Sequence, residues 1–90
     1  MAHAGSEALA NLQLLIRQLR AIPQVREKQP GTFYLGGQAF VHFHDEGGKL
    51  LGDLKKASGM GFDRYPVDAP PDQRKFIDEA KRRAGKLVDD

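Results

Sequence analysis

Between Leu9 and Ile22 apolar residues return every three or four positions, at Leu9, Leu12, Leu15, Ile16, Leu19 and Ile22. That spacing lines one face of an α-helix. Ser6 is placed to cap its start and Pro23 cannot continue it, so a first helix is predicted from Ser6 to Ala21 or Ile22, with Arg17 and Arg20 at the negative end of its dipole. Gln24 to Gly31 is polar, closes with Pro30-Gly31 and reads as a linker. The period then shortens to two. Thr32 to Leu35, Gln38 to His44 and Lys49 to Leu54 alternate around aromatic and branched residues, separated by Gly36-Gly37 and by Asp45-Glu46-Gly47-Gly48. This predicts a three-stranded antiparallel meander.

Phe62 to Val67 supplies a fourth strand that Pro66 confines to the sheet edge or ends. Asp68 to Asp72, with two prolines, opens a second helix whose narrow stripe is Phe76, Ile77, Ala80 and Ala84, and Gly85 occupies a C-cap position. The expectation is one α+β domain over residues 1–90, ordered helix, three- to four-stranded antiparallel meander, helix, with residues 1–5 frayed.

A four-residue loop at Asp45–Gly48 sets His44 opposite Lys49, His42 opposite Leu51 and Phe40 opposite Asp53. Phe40, His42, His44, Lys49, Leu51 and Asp53 then share one face, with His42 diagonal to Asp53, and Ala39, Val41, Phe43, Leu50 and Leu54 form the apolar face. In the preceding hairpin Phe33 falls opposite Phe40, so neither face is plainly hydrophilic, and the histidine face is covered by a helix or serves as an interface or pocket.

Composition narrows the chemistry. The 90 residues contain no cysteine, which removes disulfides, thiolate catalysis and cysteine zinc sites. No apolar run approaches a membrane span and no secretory layout opens the chain, so a cytoplasmic protein without membrane contact is expected. A net charge of +2 is small for a nucleic-acid binder, although a pI near 9.1 leaves room for a local basic patch. The serines, Ser6 and Ser58, lie at a helix start and in a loop, without a nucleophile turn.

The sharpest feature is His42-Phe43-His44, since strand residues two apart point the same way and two imidazoles can converge on one metal ion. Asp53, Asp45 or Glu46 could supply a carboxylate third ligand and leave a position for water, while His3 lies too near a mobile end to serve. The same histidines can equally be structural, bonded to Asp53 or backbone, or can bind a non-metal ligand with Lys49 and Tyr34. Lys55 and Lys56, at the start of a loop that runs to Gly61, and Lys81, Arg82 and Arg83 in the second helix are the candidate phosphate contacts, with a solvated connector as the plainer reading of the loop and dipole complementation as that of the helix cations.

The segments L-R-A-I-P-Q-V, F-Y-L-G-G-Q-A-F-V-H-F-H and G-K-L-L-G-D-L resemble a small bacterial family whose members carry the label luciferase domain. The similarity spans Leu19 to Leu54 and rests on His42, Phe43, His44 and Asp53. It implies an α+β fold with helices around a small sheet and an unassigned biochemical role, since the label does not establish light emission. The chain departs from that pattern after Leu54, where Phe62 to Val67 lacks the expected tryptophan and histidine.

Three functions are therefore carried forward. First comes a non-enzymatic module that binds a protein partner or itself, with Leu12, Leu15, Ile16 and Leu19 as one available homodimer seam. Second is a divalent-metal or small-ligand site at His42, His44 and Asp53, with catalysis open. Third is nucleic-acid binding through Lys55, Lys56 and the basic end of the second helix.

Overall fold

The structure, a computed structural model, describes residues 2–3 and 10–89, with side chains from 10 to 88. The elements are β1 (Ala2–His3), α1 (Gln13–Arg20), β2 (Val25–Gln29), β3 (Thr32–Leu35), β4 (Gln38–Glu46), β5 (Lys49–Lys55), β6 (Phe62–Pro66) and α2 (Pro70–Asp89). Strands β2 to β6 form an antiparallel meander in chain order, and β1 pairs with β4. The α+β class and element order are as expected, with a longer sheet. The Ser6 cap and Leu9 lie outside the described residues. Of residues 1–5, Ala2–His3 pair with Asp45 and His44.

The supposed linker is a strand. Val25–Gln29 escaped notice because only Val25 is buried, while Arg26, Lys28 and Gln29 are exposed on a sheet edge. Charged side chains on an edge strand discourage pairing with other chains and also erase the hydrophobic alternation. Glu27, within this strand, accepts a bond from Arg20 Nε at 2.5 Å and another from Gly31 N at 3.1 Å, tying α1 to the β2–β3 turn.

Both inner hairpins turn on glycine pairs. Gly36 and Gly37 have φ of 61° and 83°, and Gly47 and Gly48 have 61° and 87°. Positive φ at both central residues matches the twist of the flanking strands. The second turn therefore contains two residues, not four, and Asp45 and Glu46 belong to β4, opposite Leu50 and Lys49. The register moves by two, which preserves the faces and places His42 directly opposite Asp53. A bulge between β3 and β4 corrects a further expectation: Phe33 pairs with Val41, and Phe40 is the inserted residue. Adjacent Phe40 and Val41 are consequently both buried in the core and Phe40 leaves the histidine face.

α1 and α2 pack on the apolar face. Phe33, Val41, Phe43 and Leu54 from the sheet meet Leu12, Leu15, Ile16 and Leu19 near α1 and Phe76, Ile77, Ala80 and Ala84 of α2 in one cluster. The stripe offered as a homodimer seam is thus enclosed by the chain's own core, since a 90-residue fold with two helices on one sheet face uses all of it. α2 also runs through Gly85 instead of ending there, because Leu87 in the next turn still packs against the core.

Gly52 is the closest point between sheet and helix. A Cβ there would stand 2.7 and 2.9 Å from the Phe76 ring and 3.2 Å from Phe43. Gly52→Ala is expected to destabilise the fold by about 1–3 kcal/mol through overpacking. Urea denaturation should show this loss, and Phe76→Leu in the same chain should make the pair less damaging than the sum of the single changes.

Candidate metal centre

Strand alternation puts His42 and His44 on the sheet face opposite the helices. Pairing across β4, β5 and β6 sets His42 opposite Asp53 and Asp53 opposite Arg64, one row over three strands. Thr32 of β3 stands opposite His42, and β1 brings the His3 backbone to the position opposite His44. The sequence reading set His3 aside as too near a mobile end, and no local pattern in so short a strand announces that pairing.

The functional atoms converge. His44 Nε2 is 2.7 Å from His42 Nδ1 and 2.9 Å from Asp53 Oδ2, and His42 Nδ1 is 3.8 Å from the same carboxylate oxygen. The two imidazoles meet edge to face at 4.6 Å between centroids. The Asp53 residue is only 7% exposed, and the imidazoles are half-buried, so these groups are largely withdrawn from water.

Arg64 holds the carboxylate from its other side, donating from Nε to Oδ1 at 2.9 Å and from Nη2 to Oδ2 at 3.2 Å, while its Nη1 reaches Glu46 at 3.3 Å. Burial pushes the Asp53 carboxyl up, but the Arg64 hydrogen bonds and the neighbouring His44 outweigh it and hold the group below the usual carboxylate range. The two-pronged contact also fixes the plane of the carboxylate, as partners of metal-ligating carboxylates commonly do.

His44 Nε2 carries at most one proton yet faces two neighbours at hydrogen-bonding distance. One N–H serves one of them well. A cation within the triangle serves all three donors. For ligands about 2.0–2.1 Å from a shared ion, bond angles of 90–109° imply separations of roughly 2.8–3.4 Å. The observed 2.7, 2.9 and 3.8 Å straddle that interval, so small rotations of the rings would make them regular.

Comparison with protein-family models, with curated proteins and with solved structures finds no match for this chain. The functional reading rests on the site's own geometry.

Of the alternative carboxylates, Asp45 falls on the other side of β4 by alternation and its Oδ1 accepts a bond from Gly48 N at 3.0 Å in the turn. Glu46 reaches the cluster only through Arg64. Lys49 sits exposed at the turn opposite Glu46. Tyr34 is on β3, its ring under Lys28 Nζ at 5.1 Å, apart from the imidazole pair.

The basic candidates separate. Lys55 points toward Gln38 Oε1 at 2.6 Å, and Lys56 is 3.9 Å from Asp63. Arg82 is held by Glu79, and Arg83, 7% exposed, bonds Glu79, Asp63 and Tyr65, while Lys81 stays exposed on α2. Arg83 is thus an internal tie between α2 and the sheet and is not presented to solvent beside Lys81 and Arg82. The clamps of Arg82 and Arg83 outweigh desolvation and bring the Glu79 carboxyl to about 2. Arg64 was missed because only the β5–β6 register reveals its place.

The pH dependence has a definite sign. Asp53 binds its proton more weakly folded than unfolded, so its stabilisation is complete above about pH 4, the ordinary unfolded value, and is lost as pH falls through the lower folded value. Carboxyl ¹³C NMR titration should place Asp53 below that ordinary value, and Arg64→Leu should raise it. An unchanged titration in Arg64→Leu would refute the assigned cause.

Proposed function

We propose that this chain is a small metal-binding module in which His42 Nδ1, His44 Nε2 and Asp53 Oδ2 hold one first-row divalent ion. The observation carrying the reading is the convergence of these three atoms, with no pair more than 3.8 Å apart, on the face opposite α1 and α2. Two imidazole nitrogens and one oxygen suit zinc, iron(II), cobalt or nickel better than magnesium or calcium, which favour all-oxygen shells. Three protein ligands also leave coordination positions for water or a small ligand, the arrangement of sites that act on something rather than merely brace a fold.

Self-association has less support. Among the described residues the large apolar side chains that remain exposed, Leu14, Met60, Phe62 and Val88, are spread over α1, the β5–β6 loop, β6 and α2.

Isothermal titration of tag-free protein with zinc should give one saturable site with micromolar affinity. Cobalt(II) should develop visible absorption as the histidines enter its coordination sphere. His42→Ala, His44→Ala and Asp53→Asn should each weaken binding by at least about tenfold, with circular dichroism confirming that each variant folds. Heat and absorption unchanged from buffer in the wild type, or full affinity in the folded double variant His42→Ala/His44→Ala, would end the proposal.

A further inference from the structure

A second observation, carried by side chains other than the histidines, runs from the edge strand β2 across the same sheet to Phe62, whose ring lies 5.2 Å from that of His42. Most arginines whose contacts define the fold face carboxylates: Arg20 meets Glu27, Arg64 meets Asp53 and Glu46, and Arg82 and Arg83 meet Glu79. Arg26, Lys28 and Lys55 have no such partner among the described residues, and all three line one groove of about 690 Å³ with Tyr34 and Gln38. From these uncompensated cations, and from the aromatic rings beside them, we infer that the groove and the adjoining helix-free sheet face bind single-stranded nucleic acid.

The spread of the charges decides the class of ligand. Arg26 and Lys28 stand on β2 and Lys55 on β5, three strand spacings apart, or roughly 14 Å. A single phosphate cannot reach both sides of such a gap. A short run of phosphodiesters can. Each end also has an aromatic face beside a lysine: Lys28 Nζ lies 5.1 Å from the Tyr34 ring, and Lys55 Nζ lies 6.0 Å from the ring of Phe62, which is 37% exposed. Unpaired bases stack on exposed rings while neighbouring cations take the backbone, and an antiparallel sheet with one face clear of helices is a common support for both. A duplex keeps its bases stacked within itself and has no use for the rings.

The test is fluorescence anisotropy of a labelled twelve-nucleotide oligothymidylate with tag-free protein, with EDTA present so that the result does not depend on the histidine site. Saturable binding is expected at 50 mM salt. With three phosphate contacts, raising salt to 200 mM should weaken it roughly twentyfold. Tyr34→Ala and Phe62→Ala should each lose about five- to a hundredfold, Tyr34→Phe should bind like wild type, and Lys81→Ala, on α2, should change nothing. Circular dichroism verifies the fold of each variant. The inference is overturned by absent saturation at 50 mM salt, by folded alanine variants of both rings that bind like wild type, or by equal competition from duplex DNA or polyglutamate. The last result would assign the groove to generic polyanions or acidic proteins.

Discussion

A two-residue turn leaves little freedom in how the strands beside it pair. With positive φ at both Gly47 and Gly48, Glu46 must face Lys49, and every pairing up the hairpin follows. The third pair along sets His44 against Leu51, and two residues further His42 meets Asp53. The candidate site therefore depends on backbone conformation several residues away. A side chain at either glycine would meet no neighbour, yet would be forced into the left-handed region that L-residues avoid. The constraint is conformational, not one of space.

The second dependence is sidedness. Both helices pack on the apolar face, where the lack of a side chain at Gly52 lets the Phe76 ring approach the sheet. Arg83 then crosses from α2 to Tyr65, Asp63 and the Lys55 carbonyl, so that its buried charge is paired and each of its nitrogens has a hydrogen-bond partner. Because the hydrophobic area is concentrated on that side, the other face can carry imidazoles, a buried carboxylate and cations without weakening the core. The bulge at Phe40 reinforces this division by moving a phenylalanine from the polar face into the core.

Much of this arrangement was legible in the sequence, and the gaps have physical causes. The three- and four-residue spacing of Leu12, Leu15, Ile16 and Leu19 announced α1, and Gly36-Gly37 announced its turn. The faces of the central hairpin survived a wrong loop length because the error was two residues, an even number, and side chains alternate with period two. Arg64 and the contact between His42 and Asp53 depend on register, which local composition does not encode. The edge strand β2 was illegible for the opposite reason, since an edge that resists aggregation must look like a polar loop. Gly85 looked like a stop signal, but burial of Leu87 beyond it outweighs the modest cost of glycine in a helix.

Asp53 is the group on which the site's chemistry turns. Three positive species compete for its oxygens: a proton, the Arg64 guanidinium and any cation entering between the imidazoles. The proton is disfavoured, because the carboxyl is held below its usual range. Arg64 grips both oxygens, but its side chain is 42% exposed and already reaches Glu46, so loosening one prong onto Glu46 costs little desolvation. The imidazoles have no such second carboxylate to turn to, since strand pairing keeps both beside Asp53 and leaves them only small ring rotations. An incoming ion would therefore displace the half-exposed guanidinium prong from Oδ2 while Nε kept Oδ1 in place. In a metal-bound state the carboxylate would then have an orienting partner and a ligating oxygen at once, with an affinity below that of a site built without a competing cation.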